Sequence, residues 1–404
     1  VLGGLGFVMA VIYRDPRLTA LVCALSLAPI LRGLTSPRMV SFIQKMDFRR
    51  DAGIEVAGKA VALVVSSVLA FGTHSYWAIA SATIATPLVM CALSYWFAPY
   101  APRVALSEWQ LFKNLVGWNT LSQLFASMNW QADRLLLGYT VPETELGRYA
   151  MAGNLAGIPI QAVVVPMGNS LLSAFAARRD DGGSVLASTY LKSSNAILAI
   201  GGPIFMGLAL LAVPAVRLVL GPGWNEAGHY LQWLALISII ALPTYHIGNL
   251  ALALDQARMV AWRTIGEFIV AMPALLIGSV YFGIPGVIAA RALSVVVVLL
   301  ISMHAVRILV GCSFAAQLVA LRRTAAALAV LAFVVTALRP LVDMANPFVL
   351  TLSLGAVSLA GGVAYLVVLY ALWARAGRPE GVEHVVAAKV LTLFNKIRCA
   401  GKTA

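Results

Sequence analysis

Charge is what this chain has least of. Asp, Glu, Lys and Arg make up 11% of its 404 residues, against about 25% in ordinary soluble domains. No polar stretch is long enough to enclose a core, which excludes a soluble enzyme or binding module. Cysteine is scarce too. Cys23, Cys91, Cys312 and Cys399 form no Cys-x-x-Cys pair, so neither a disulfide framework nor a thiolate metal site is implied. The histidines (His74, His229, His246, His304, His384) lie far apart, without ligand spacing. Nucleophile elbows, zinc-protease helices, dinucleotide loops and phosphate-binding loops are all missing. No catalytic residue, metal or cofactor is expected.

Apolar residues fill the space that charge leaves. They are 61% of the chain, with a mean hydropathy of +0.88, and runs of about 20 recur from end to end, the mark of transmembrane helices. The pattern predicts an all-α polytopic membrane protein with about twelve spans. Their bounds are Val1–Tyr13, Leu18–Leu34, Ala52–Phe71, Tyr76–Ala98, Leu111–Tyr139, Gly147–Phe175, Asn195–Leu220, Tyr230–Leu254, Met259–Phe282, Pro285–Ile308, Thr324–Leu341 and Phe348–Ala374. The chain opens at Val1 inside an apolar run, which reads as a beginning that is missing.

The net charge of +13 raises the question of nucleic acid, but the basic residues stand singly between apolar runs, and topology explains them better. Most of the 29 Lys and Arg fall in segments that follow even-numbered spans. Arg14, Arg17, Arg134, Arg148, Arg217 and Arg339 follow odd-numbered ones. That alternation places the C-terminus in the cytosol. A faint internal repeat accompanies it: Arg50, Glu55 and Phe71-Gly72 recur as Arg263, Glu267 and Phe282-Gly283. Two homologous helical bundles with a site between them would account for it.

The stretch from Met39 to Ser67 combines both themes. Its first half is basic and amphipathic, and Lys45, Arg49 and Arg50 among Phe42, Ile43, Met46 and Phe48 suit an anionic membrane surface. Asp51, Glu55 and Lys59 then recur every four residues on one helix face. Charge at bilayer depth is expensive and tends to face protein or water. Glu55 and Lys59 therefore stand either on a cavity wall or at headgroup depth with Lys59 snorkelling. Asp133, Arg134, Glu267 and Arg291 are the other ionisable groups within spans. Asp133 and Arg134 stand either at a cavity or as an interfacial pair at the outer end of the fifth span, and Glu267 either at a cavity or at headgroup level. Arg291, about two turns into its span, is expected to face inward. Neighbouring Asp133 and Arg134 are expected on different faces, so that at most one points straight into a cavity. His246 is either a proton carrier or a structural histidine. The fifth and sixth spans are dense in amides and hydroxyls, including Asn119, Ser122, Asn129 and Asn154, as interhelical glue or as the lining of a wet path.

Several motifs together resemble the Wzx-type polysaccharide flippases, lipid-linked oligosaccharide transporters in the superfamily of the MATE exporters. They are the basic segment Gln44–Arg50 with Glu55, Gly117-Trp-Asn119, Asn129–Gly138, Leu146-Gly-Arg-Tyr149, Leu220-Gly-Pro-Gly-Trp224 and Ala251–Arg258. The resemblance implies a MATE-like fold of two pseudo-symmetric lobes and a trailing pair, fourteen spans in the family. The expected division is 1–105 (an N-lobe lacking its first two helices), 106–312 (a six-helix C-lobe), 313–375 (a C-terminal helix pair) and 376–404 (a cytosolic tail). It also implies a bacterial plasma-membrane protein that flips an undecaprenyl-diphosphate-linked oligosaccharide outward by alternating access, coupled to H+ or Na+. Membrane lipids and the polysaccharide polymerase and export machinery are the expected partners. Lys59, Arg291 and Arg134 are candidates for the diphosphate, and Glu55, Asp133 and Glu267 for ion coupling. A drug or cation exporter is the alternative, predicting an acidic, aromatic cavity, and a pathway polymerase or acyltransferase is a third reading.

Overall fold

A computed structural model of the chain describes residues 17–39, 48–73, 75–101, 109–342 and 346–378. The expected first span, Lys45 and the tail from 379 onward lie outside these residues. The chain divides into two compact units, Val1–Glu108 and Trp109–Ala404.

In the first unit, α1 (Arg17–Leu25), α2 (Leu27–Gly33), α3 (Phe48–Thr73) and α4 (Trp77–Phe97) are the described helices, and α1, α2 and α3 all pack on α4. The chain after α2 is pinned to the end of α4: Ser36 Oγ donates to the Ala98 carbonyl at 2.6 Å and Arg38 Nη1 to that of Pro99 at 3.0 Å.

The second unit holds α5 (Trp109–Thr140), α6 (Glu143–Pro159), α7 (Val165–Ala176), α8 (Gly183–Leu210), α9 (Ala212–Leu220), α10 (Asn225–Ala241), α11 (Ile247–Ala253), α12 (Ala257–Val310), α13 (Phe314–Leu338) and α14 (Pro347–Arg375). A π-helical turn, Ile160–Val164, joins α6 to α7 between Pro159 and Pro166, where each ring removes an amide donor from the ladder. Ser313 and Asn346 cap α13 and α14, each accepting a backbone N–H in the following turn. The core centres on Ile197, Phe205, Leu331, Leu350 and Tyr365. Buried hydrogen bonds cross it from Thr324 Oγ1 to Asn195 Oδ1 at 2.6 Å and from the Tyr365 hydroxyl to the Ala199 carbonyl at 2.8 Å.

The 54 residues of α12 would reach about 80 Å as one rod, against a hydrocarbon thickness of about 30 Å. They fold back instead. Gly283 adopts φ +60° and ψ −138°, a backbone that a side chain disfavours, and Arg263 Nε donates to Ser302 Oγ across the two arms at 2.8 Å. The arms approach so closely that a Cβ on Gly278 would sit 2.5 Å from the Gly286 carbonyl oxygen.

Among the described residues, eight helical segments are long and apolar enough to cross a membrane, with α12 counted once. Large apolar side chains such as Phe71, Trp96, Tyr139 and Phe333 stand outward, as a lipid solvent allows. This is an integral membrane protein with an all-α fold. Several boundaries move from their expected places. α8 begins at Gly183 rather than Asn195, and α13 at Phe314 rather than Thr324. In both, the helix runs on through Ser, Thr, Gln, Lys or Arg beyond the apolar stretch, which hydropathy does not register. The expected single spans Asn195–Leu220 and Tyr230–Leu254 are broken, at Leu211 and at 242–246.

Candidate functional site

Asp133 lies eight residues before Val141, the turn between α5 and α6, and Arg291 eight residues after Gly283. Eight residues of helix are about 12 Å, so both side chains lie at about the same distance from their turns. They meet there. Arg291 Nη2 is 3.1 Å from Asp133 Oδ1 and its Nε is 3.3 Å from Oδ2, with only 18% and 11% of the two side chains exposed. The Tyr149 hydroxyl donates to Oδ2 at 2.7 Å, and Arg291 Nη2 also donates to the Asn129 carbonyl at 2.5 Å. A charge pair out of water survives when its remaining donors and acceptors are satisfied, and this one is bonded from three helices.

Arg134 turns the other way round α5. Its Nη2 donates to Asn154 Oδ1 of α6 at 2.8 Å and lies over Gly153, where a Cβ would come within 3.4 Å. Among the described residues no carboxylate forms an ion pair with it. A cavity of about 190 Å³ opens between α5, α6, α10 and the second arm of α12, lined by Trp130, Asp133, Arg134, Tyr149, Ser238 and Arg291 among others. Asp133 and Arg134 leave α5 on different faces, as expected, yet both border this one cavity. Successive residues differ by about 100° around a helix, and the long arginine stem makes up the difference. The cavity presents two guanidiniums to one carboxylate.

The remaining candidates are not drawn into this cluster. Glu55 and Lys59 pair with each other at 2.7 Å along α3, with 52% and 68% of their side chains exposed. They belong to the first compact unit. Glu267 is half-buried on the first arm of α12, one turn beyond Arg263. Arg49 and Arg50 lie in the first turn of α3, and Arg50 is exposed. His246 is fully buried, its ring stacked 4.7 Å from Tyr190 and 5.9 Å from Phe175. Sequence reasoning missed Tyr149 as a partner of Asp133. The signal was present: a short hairpin centred on Val141 brings residues eight before and eight after it to one depth.

A family model described as polysaccharide biosynthesis protein matches residues 5–229, more than half of the chain. The chain belongs to that family. Other polysaccharide biosynthesis proteins align with it. The succinoglycan biosynthesis transport protein ExoT of Rhizobium meliloti (strain 1021) is 22% identical over 246 residues, 59% of this chain and 48% of ExoT. The lipopolysaccharide biosynthesis protein WzxC of Escherichia coli (strain K12) is 24% identical over 284 residues, 68% of this chain and 57% of WzxC. The amylovoran biosynthesis protein AmsL of Erwinia amylovora is 23% identical over 283 residues, 67% of this chain and 70% of AmsL. The chain thus spans about half the length of ExoT. In fold, this family member resembles the lipid II flippase MurJ in its inward closed conformation, with a TM-score of 0.62 over 89% of this chain and 74% of that one at 13% identity.

Proposed function

We propose that this polysaccharide biosynthesis protein is a transporter, not an enzyme, that flips a lipid-linked oligosaccharide from the cytosolic to the outer leaflet of the bacterial plasma membrane. The observation that carries the reading is Arg134, a guanidinium in a cavity between apolar helices, whose side-chain partner among the described residues is a neutral amide. Such a cation is costly to hold and offsets the cost of drawing a diphosphate out of water. Transport or flippase roles in the names of ExoT and MurJ agree with it.

In this reading Arg134 contacts the diphosphate first. Arg291 is already held by Asp133 and becomes available when that carboxylate is protonated or binds a cation, which gives Asp133 the coupling role for H+ or Na+. Lys59, Glu55 and Glu267 would act at other stages of an alternating-access cycle. Residues 1–105 and 106–312 would be its two moving lobes, with 313–375 as a C-terminal pair and a cytosolic C-terminus. Lys45, Arg49 and Arg50 would rest on the anionic leaflet, and the export machinery would receive the product. Two guanidiniums against one carboxylate disfavour a drug-cation exporter, whose cavity needs the opposite balance.

The test labels the sugar from the outer face of spheroplasts that make the lipid-linked oligosaccharide, with and without the gene. Labelling is expected only when the gene is present, and Arg134→Gln should lower its rate at least tenfold. Labelling that proceeds equally without the gene would end the flippase reading.

A further inference from the structure

A second, open chamber of about 450 Å³ adjoins the charged one between α10 and the second arm of α12, with His229, Trp233, Pro285 and Ala289 exposed along it. His229, Tyr230 and Trp233 form one wall, and Pro285, Ile288, Ala289 and Ala292 the other. Ile237 borders both chambers. α10 and this arm of α12 traverse the two in the same order: His229 and Pro285 lie at the end nearest the Gly283 turn, Ser238 and Val295 at the far end of the charged chamber. The charged lining groups are thus confined to one end, while aromatic rings border both, Trp130 and Tyr149 at the cationic end and Tyr230 and Trp233 at the other. Tyr149 and Tyr230, 6.3 Å apart between ring centres, stand at the junction.

The end with Tyr230 and Trp233 is built as well as apolar. The Tyr230 hydroxyl donates to Glu145 Oε2 at 2.8 Å, and Arg148 Nη1 holds the other carboxylate oxygen at 2.5 Å. This fixes the Tyr230 ring and leaves its oxygen free to accept. Trp233 keeps 55% of its surface exposed, with Ala289 and Ala292 across the chamber as small residues that leave room beside it. A pyranose ring offers what such a chamber recognises: a face of C–H bonds for an aromatic ring and a rim of hydroxyls for His229 and Tyr230. The volume falls within the range of about 300–1,000 Å³ usual for small-ligand sites.

We propose that this chamber is a sugar subsite, receiving the pyranose attached directly to the diphosphate that Arg134 holds. The subsite rests on the transport reading for its ligand, and the order of chemistry along the groove is the order along a glycosyl diphosphate.

Two probes of equal charge separate the subsite from that reading: farnesyl diphosphoglucose, and farnesyl methyl diphosphate, which lacks the sugar. Their affinities are measured on the full chain in lipid nanodiscs. The wild type should bind the glucosyl probe about tenfold tighter, an increment of about 1.4 kcal/mol. Trp233→Ala should abolish that difference while leaving the methyl probe unaffected, Trp233→Phe should keep most of it, and Arg134→Gln should weaken both probes alike. Equal binding of both probes by the wild type, or a difference that survives Trp233→Ala, overturns the sugar subsite and leaves the diphosphate site standing. Failure of the methyl probe to bind at all overturns the diphosphate site, and the subsite with it.

Discussion

At the scale of single residues, Asp133 and Arg291 are worth more as a pair than either is alone. Removing one partner of a buried pair strands a charge at a cost of about 3–5 kcal/mol, while replacing both with apolar residues is often neutral or stabilising. Arg291→Met should therefore lower stability by about that amount, and Asp133→Leu in the same chain should recover most of it, read as unfolding midpoints in detergent. A double variant no more stable than the single one would mean that the pair is not isolated. Tyr149→Phe removes one hydrogen bond to a charged acceptor and should cost about 1.5–3 kcal/mol in the same measurement. The charged residues themselves were legible in the sequence, because a carboxylate or guanidinium at depth stands out against apolar helices. Their pairing was not. Asp133 and Arg291 are 158 residues apart, and nothing local to either names the other. Once Val141 and Gly283 are recognised as turns, the equal spacing to each supplies the match.

At the scale of elements, the close approach at the α12 turn sets the geometry of the site, since Arg291 hangs from the arm that Gly283 redirects. A Cβ on Gly278 meets backbone at 2.5 Å, whereas one on Gly266, on the same arm, meets only the Ile301 Cδ1 atom at an ordinary 3.5 Å. Gly278→Ala should thus destabilise the protein by about 1–3 kcal/mol through overpacking. Gly266→Ala should be neutral or stabilising by up to about 1 kcal/mol, because alanine is the better helix former. Equal midpoints for the two variants would remove the close approach from the account. The sequence identified Phe282-Gly-Ile-Pro285 as a break, since glycine and proline interrupt an apolar run. It was silent on the break at Leu211, where the chain stays apolar, and on that at 242–246, where Pro243, Thr244 and His246 interrupt the run too briefly for a hydropathy window to register.

At the scale of the whole molecule, hydropathy and the alternation of basic residues carried the all-α membrane class, because a bilayer leaves few solutions for satisfying the backbone. The motifs carried the family. The lining of the cavity was legible in pieces only: Trp130 and Trp233 have the composition of interfacial anchors, and their position in a groove depends on how α5, α6, α10 and α12 pack. Sequence periodicity reports one helix at a time. A groove is a property of four.

The imbalance in the charged cavity, two guanidiniums to one carboxylate, has an electrical consequence. A membrane potential acts on any net charge carried through it, at about 2.3 kcal/mol per elementary charge per 100 mV. On the proposed cycle the empty cavity carries one positive charge, and an inside-negative potential draws it toward the cytosol. Protonation or cation binding at Asp133 adds a second positive charge, which a doubly negative diphosphate cancels, so the loaded cavity crosses the field as a neutral unit. The same field would then assist the return of the empty cavity and leave delivery to the coupling ion.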